Sequence, residues 1–283
     1  PLVDFQIAIK GGLLLDDINK VGAANLVSKM LMQGTKNKTP LELEQAIEDL
    51  GSNITFSTTD EAVLIRVNCL STKFAETFKL VDEILFEPRW DVKEFDRLKN
   101  ETIEGIKRNK TSASTTASLV FSKLIYGDEN IISKNTAGTE ESVAALTLDD
   151  LKYYYAKAFS PQNANITIAG NINEADAIDV FKVLESEWKE TDISVPLPNK
   201  FNSLSSSKVY FVDFPGAKQS EIRIGSTGLA FTDPDYFKAT VMNYKLGGSF
   251  NGIVNLILRE EKGYTYGART TFTGSDFPGY FVA

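Results

Sequence analysis

The side chains most often found doing chemistry are scarce in this sequence. It has no histidine, so every dyad, triad or metal site that depends on imidazole is excluded within the chain. Its single cysteine, Cys69, rules out an internal disulfide framework and a cysteine-cluster metal site. Other groups remain. Arg259 and Tyr266 stand seven residues apart. A guanidinium fork suits carbonyl oxygens, and a phenol donates to a developing oxyanion. Tyr264 competes for the second role from the opposite face of the same expected strand. A surface arginine beside Glu260 or Glu261, with a tyrosine in a strand, is the plainer reading of the pair. Asn25, Ser28 and Lys29, taken alone, are a polar face on an amphipathic helix. Gly247-Gly248-Ser249 reads as a helix N-terminal turn with Ser249 as its cap.

These residues need elements to position them. The chain has 283 residues, 42% apolar and 24% charged, close to the globular average. That length is room for one large domain or two ordinary ones. The net charge of −8 argues against nucleic acid as the main partner. No run approaches the ~20 apolar residues that span a bilayer. Alternation predicts a strand over residues 2–10, then a glycine break at Gly11-Gly12. Helices are predicted over 21–33, 41–50 (opened by Thr39-Pro40), 72–86, 91–107 and 111–126. Strands are predicted over 53–58, 62–69 and 165–169, with helices from 147 and over 174–188. Residues 191–207 hold two prolines and several serines and read as a linker. Beyond them, strands are predicted over 208–213 and 220–226 and helices over 235–246 and 250–262. In the last of these, Asn251, Asn255 and Arg259 share one stripe. Strand, glycine break and helix recur about 215 residues after their first appearance, which suggests two copies of one domain. A chain that starts and ends inside strands reads as cut from something longer.

Two segments carry a resemblance. Residues 22–35, Gly-Ala-Ala-Asn-Leu-Val-Ser-Lys-Met-Leu-Met-Gln-Gly-Thr, resemble the zinc-site helix of the pitrilysin/insulinase family, the inverzincins, whose motif is His-x-x-Glu-His. Residues 246–267, from Leu-Gly-Gly-Ser-Phe-Asn to Leu-Arg-Glu-Glu-Lys-Gly-Tyr-Thr-Tyr-Gly, resemble that family's second-domain signature. The resemblance implies an α+β fold of the mitochondrial-processing-peptidase type: a mixed, mostly antiparallel sheet with helices on one face, in two homologous domains. It implies a first domain at 1–195 lacking its first strand, a linker at 196–207, and the N-terminal part of a second domain at 208–283. Laid over the motif, Asn25 and Lys29 replace the two histidines, Ser28 replaces the general base, and Gly105 stands where the third ligand, a glutamate, belongs. The chain is therefore read as a non-catalytic subunit or inactive half of a zinc peptidase, with no cofactor of its own and zinc in a homologous partner subunit or domain. Arg259 and Tyr266 match the family's arginine–tyrosine pair, which binds substrate backbone and stabilises the tetrahedral intermediate. Gly247, Gly248 and Ser249 correspond to a glycine-rich loop near the substrate cavity. Peptide is the implied substrate and the bacterial envelope the implied setting. A structural or assembly protein of the same fold is the alternative, and it has no need of Arg259 and Tyr266.

Overall fold

Alternating apolar side chains build the first sheet. Along β1 (Leu2–Lys10), Val3, Phe5, Ile7 and Ile9 are buried while Leu2, Asp4 and Lys10 are exposed, the pattern of a sheet covered on one face. β2 (Asn53–Thr58) and β3 (Ala62–Leu70) form the expected hairpin, and β4 (Ala164–Gly170) closes the order β2-β3-β1-β4. Every ladder is antiparallel, with Ile7 opposite Ile65 on one side and Ile166 on the other. The computed structural model describes residues 1–191, 193–198 and 206–283.

Helices cover the buried face. α1 (Ala23–Leu31), α2 (Pro40–Asp49), α3 (Phe74–Phe86) and α4 (Val92–Asn109) follow the predicted positions closely. α1 and α3 supply Leu26, Val27, Met30, Phe78, Val81 and Ile84 to the core. Phe5, Phe74, Phe78 and Phe181 meet mostly edge-on, with centroids 4.9–5.9 Å apart, the geometry that aromatic quadrupoles favour. Thr39 caps α2 and Pro40 sits at its first turn, as the sequence predicts, and Glu42 completes a capping box that it does not. α5 (Ala113–Tyr126), α6 (Glu140–Ala145), α7 (Leu148–Ala158), α8 (Glu174–Phe181) and α9 (Val183–Glu187) complete this part of the chain.

The chain divides into two compact units that are not sequential. The first is Pro1–Arg108 with Lys134–Pro196, and the second is Asn109–Ser133 with Leu197–Ala283. The expected linker at 196–207 falls largely outside the described residues. In the second unit, β5 (Gly225–Thr227), β6 (Thr271–Gly274) and β7 (Pro278–Val282) form a sheet ordered β5-β7-β6. α5 lies against it. A Cβ added at Gly225 would come within 2.6 Å of the Phe121 ring, and Phe121 packs edge-on against Tyr280 at 5.3 Å. α10 (Tyr236–Asn243) and the short α11 (Ile253–Asn255) follow β5 in the chain.

The second unit corrects three predictions. Residues 208–213 form no strand: Val209 is 98% and Phe211 92% exposed. Alternation assigns faces, but a strand also needs a hydrogen-bonded neighbour, and among the described residues none pairs with this segment. The strand predicted over 220–226 shortens to β5 for the same reason. The helix predicted over 250–262 is interrupted. Gly252 is extended, and π-helical turns occupy Tyr244–Gly248 and Leu256–Glu261.

Candidate functional site

The helix bearing the motif-like residues has no side-chain cap of its own, because its N-cap is Gly22 with φ 114°. Asp16 supplies the cap from upstream. Its carboxylate accepts from the Gly22 amide at 2.7 Å and the Ala24 amide at 2.9 Å. This fixes the first turn and so the direction of Asn25, Ser28 and Lys29. Sequence reading missed Asp16. The only signal was an acidic pair, Asp16-Asp17, standing well before the helix.

Burial pushes the Asp16 carboxyl up to about 7, against the hydrogen bonds from the Gly22, Ala24 and Ala23 amides that hold it down. The folded value thus lies above the ordinary 3.8. The group's contribution to stability is complete below the unfolded value and is lost as pH rises through about 7. Asp60, raised by burial to about 6, acts in the same direction. Melting temperature is expected to fall between about pH 4 and pH 7, and Asp16→Asn to flatten that fall. Thermal melts across the range check this, and an unchanged slope in the variant would count against it.

Ser28 is buried and fully occupied. Its hydroxyl lies 3.1 Å from the Ala24 carbonyl oxygen and 2.7 Å from the Thr58 hydroxyl, which is itself 3.1 Å from that carbonyl, so one hydroxyl donates to Ala24 and the other donates to its neighbouring hydroxyl. Lys29 is half-buried and reaches α4, where its Nζ donates to Thr102 Oγ1 at 2.9 Å. Burial lowers the Lys29 pKa, with Glu101 opposing. Asn25 Nδ2 is buried without a hydrogen-bond partner among the described residues. Gly105 lies three residues beyond Thr102 on α4, the spacing that shares a helix face. A Cβ there would meet only the end of Arg108, at 3.8 Å. The sequence-predicted set is thus carried by two helices that Lys29 links through Thr102.

The second set lies in the second unit. Gly247 is buried, and a Cβ on it would come within 2.6 Å of both Thr270 Oγ1 and Val254 Cγ2. A Cβ at Gly252 would meet the Gly247 Cα at 2.7 Å. These glycines permit close backbone packing. Ser249 caps no amide. Its hydroxyl donates backwards to the Tyr244 carbonyl at 3.2 Å, because the chain leaves the π-helical turn there. Gly248 is exposed, on the outer side of that turn.

A buried amide network holds this turn, and sequence reading missed it. Asn243 Nδ2 donates to the Thr270 carbonyl at 2.9 Å, and Thr270 Oγ1 donates to Asn243 Oδ1 at 2.5 Å. Asn255 Nδ2 donates to the Phe250 carbonyl at 2.8 Å, while its Oδ1 accepts from the Ala268 amide at 3.0 Å. Asn255 is 3% exposed, so the predicted stripe Asn251-Asn255-Arg259 does not exist. The extended Gly252 and the π-helical turn shift the phase between its members.

Arg259 stands on that second turn with its side chain partly exposed and its Nε 3.4 Å from Glu260. Tyr266 is 86% and Tyr264 79% exposed. Neither lies in a strand, so alternation does not separate them.

The family model described as "Insulinase (Peptidase family M16)" matches residues 2–128, and "Peptidase M16 inactive domain" matches residues 145–283. The chain belongs to peptidase family M16. This M16 chain is 24% identical over 248 residues to "Uncharacterized zinc protease YmxG" of Bacillus subtilis, covering 87% of the chain and 58% of that protein. It is 22% identical over 280 residues to "Non-peptidase homolog YmxG" of Helicobacter pylori, covering 94% of the chain and 61% of that protein. Less than two thirds of either relative is therefore spanned. The crystal structure of a peptidase M16 inactive domain from Pseudomonas fluorescens superposes with a TM-score of 0.86 at 24% identity, covering 100% of this chain and 68% of that one. The fold is the α+β arrangement of the M16 family, and residues 145–283 match the model of its inactive domain.

The family implies zinc, and the residues here do not fit it. Asn25, Ser28, Lys29 and Gly105 offer neither imidazole nor carboxylate. The Lys29 ammonium, held by Thr102, puts a positive charge where a cation would lie. No cluster of three or more His, Cys, Asp or Glu suited to a metal occurs among the described residues. A ligand at 100 times its Kd stabilises a fold by about 2.7 kcal/mol. Excess zinc is therefore expected to leave the melting temperature unchanged. A clear rise that disappears when Asn25 and Ser28 are replaced by alanine would contradict this.

Proposed function

We propose that this M16 chain is the non-catalytic partner of a zinc-bearing homologue and presents Arg259 and Tyr266 to a peptide substrate. One observation carries the reading. The positions that the resemblance lays over the zinc motif carry neither imidazole nor carboxylate, while Arg259 and Tyr266, which it lays over the family's arginine–tyrosine pair, are partly exposed and 86% exposed respectively. A zinc-bearing half supplies metal, base and an edge strand on which peptide can be laid as an added strand. The missing part is a set of donors on the far side of the scissile carbonyl. A guanidinium and a phenol meet that need, because both donate to an oxygen that gains charge in the transition state.

A photoreactive peptide bound to the assembled pair tests this. Cross-links are expected on this chain near residues 259–266. Labelling confined to the zinc-bearing partner would contradict the reading and favour a structural or assembly role.

A further inference from the structure

Arg259 is oriented in a way that leaves its donors free. Its guanidinium carbon lies 4.9 Å from the centroid of the Phe250 ring. A guanidinium over an aromatic ring is attracted by the ring quadrupole, a contact that needs no hydrogen-bond acceptor. Glu260 approaches only Nε, at 3.4 Å. Among the described residues no hydrogen bond engages the guanidinium. The backbone that carries the ring is itself anchored. The Phe250 carbonyl accepts from Asn255, whose side-chain oxygen accepts from Ala268. Yet Phe250 is 59% exposed, so its ring contributes little to a core.

We propose that Phe250 is the positioning residue of Arg259: its ring fixes the guanidinium while leaving the N–H donors available to a substrate carbonyl. This rests on the role given to Arg259 under the proposed function. An ion pair in the same place would orient the arginine by engaging those donors. A ring beneath the cation holds it without supplying an acceptor, and it removes water from that side of the cation. The assignment also gives the buried Asn255 a purpose, since it ties the backbone of Phe250 to the segment at Ala268.

The test uses the full-length protein assembled with its zinc-bearing partner. Phe250→Leu keeps apolar bulk and removes the π face. It is expected to lower kcat about fivefold, the scale of a partly exposed cation–π contact, with KM and zinc content unchanged. Phe250→Tyr keeps the face and is expected to match the parent. In an Arg259→Ala background, Phe250→Leu is expected to cost nothing further, because the ring acts through the arginine. The NMR signal of the Arg259 Nε–H should carry a ring-current shift that Phe250→Leu removes and Phe250→Tyr retains. A normal kcat in Phe250→Leu, where Arg259→Ala is slow, overturns the proposal alone. So does an undiminished loss in the Arg259→Ala background, which would make Phe250 a direct substrate contact. If Arg259→Ala itself keeps full activity, the proposed function fails first, and this proposal with it.

Discussion

Arg259→Ala, assembled with the zinc-bearing partner, is expected to lower peptide turnover by about 10²-fold or more, the typical cost of removing one oxyanion donor. Tyr266→Phe, which deletes only the phenolic donor, should fall in the same range. The loss should appear in kcat more than in KM, since a contact that strengthens in the transition state leaves ground-state binding largely intact. Folding should be unaffected. The Arg259 side chain is 37% exposed and its ion pair is with the exposed Glu260, and Tyr266 is 86% exposed. Substitutions at such positions usually change stability by no more than about 0.5 kcal/mol. Steady-state kinetics with short peptides, beside zinc analysis and size-exclusion chromatography of the pair, decide the matter. Full activity in both variants would make the pair structural and strengthen the assembly reading.

The second large effect is expected at Asn243, and it concerns stability. Asn243 and Thr270 are 6% and 4% exposed and exchange two hydrogen bonds. Asn243→Ala leaves a buried carbonyl and a buried hydroxyl without partners, and each orphaned group costs about 1–3 kcal/mol. A loss of about 3 kcal/mol is expected from denaturant titration. Thr270→Val should cost less, because the backbone carbonyl keeps its Asn243 donor. The network ties the turn at Gly247 to the segment leading into β6, so turnover of the assembled pair should drop even where Asn243→Ala remains folded. A midpoint within error of the parent would show that water replaces the amide without cost.

Much of the first unit can be read locally. The alternation of Val3, Phe5, Ile7 and Ile9 defines a strand and its buried face, and Thr39-Pro40 with Glu42 writes the start of α2 into four consecutive residues. What could not be read depends on distant partners. Asp16 caps α1 from eight residues before Ala24, and no spacing rule announces such a reach. Asn243 finds Thr270 across 27 residues, and polar side chains carry no periodic signal. The helix predicted over 250–262 breaks because Gly252 lies against Gly247, a contact that outweighs local helix propensity. α5 reads as a plain helix, but nothing in its sequence reveals that it lies on the sheet of the second unit. At the candidate site the residue types were legible from the motif register. The link from Lys29 to Thr102 and the stacking of Phe250 on Arg259 were not, because each needs elements brought together by the fold.

The central claim is that this chain has no hydrolytic chemistry of its own and completes the chemistry of a zinc-bearing homologue. Titrating a fixed amount of that homologue with the full-length protein, while following cleavage of a fluorogenic peptide, tests it most directly. The account predicts negligible turnover from this protein alone, a rise that saturates at one-to-one stoichiometry, and no such rise with the Arg259→Ala, Tyr266→Phe double variant even though it still binds. A homologue already fully active by itself, with turnover unchanged at every ratio, would contradict it.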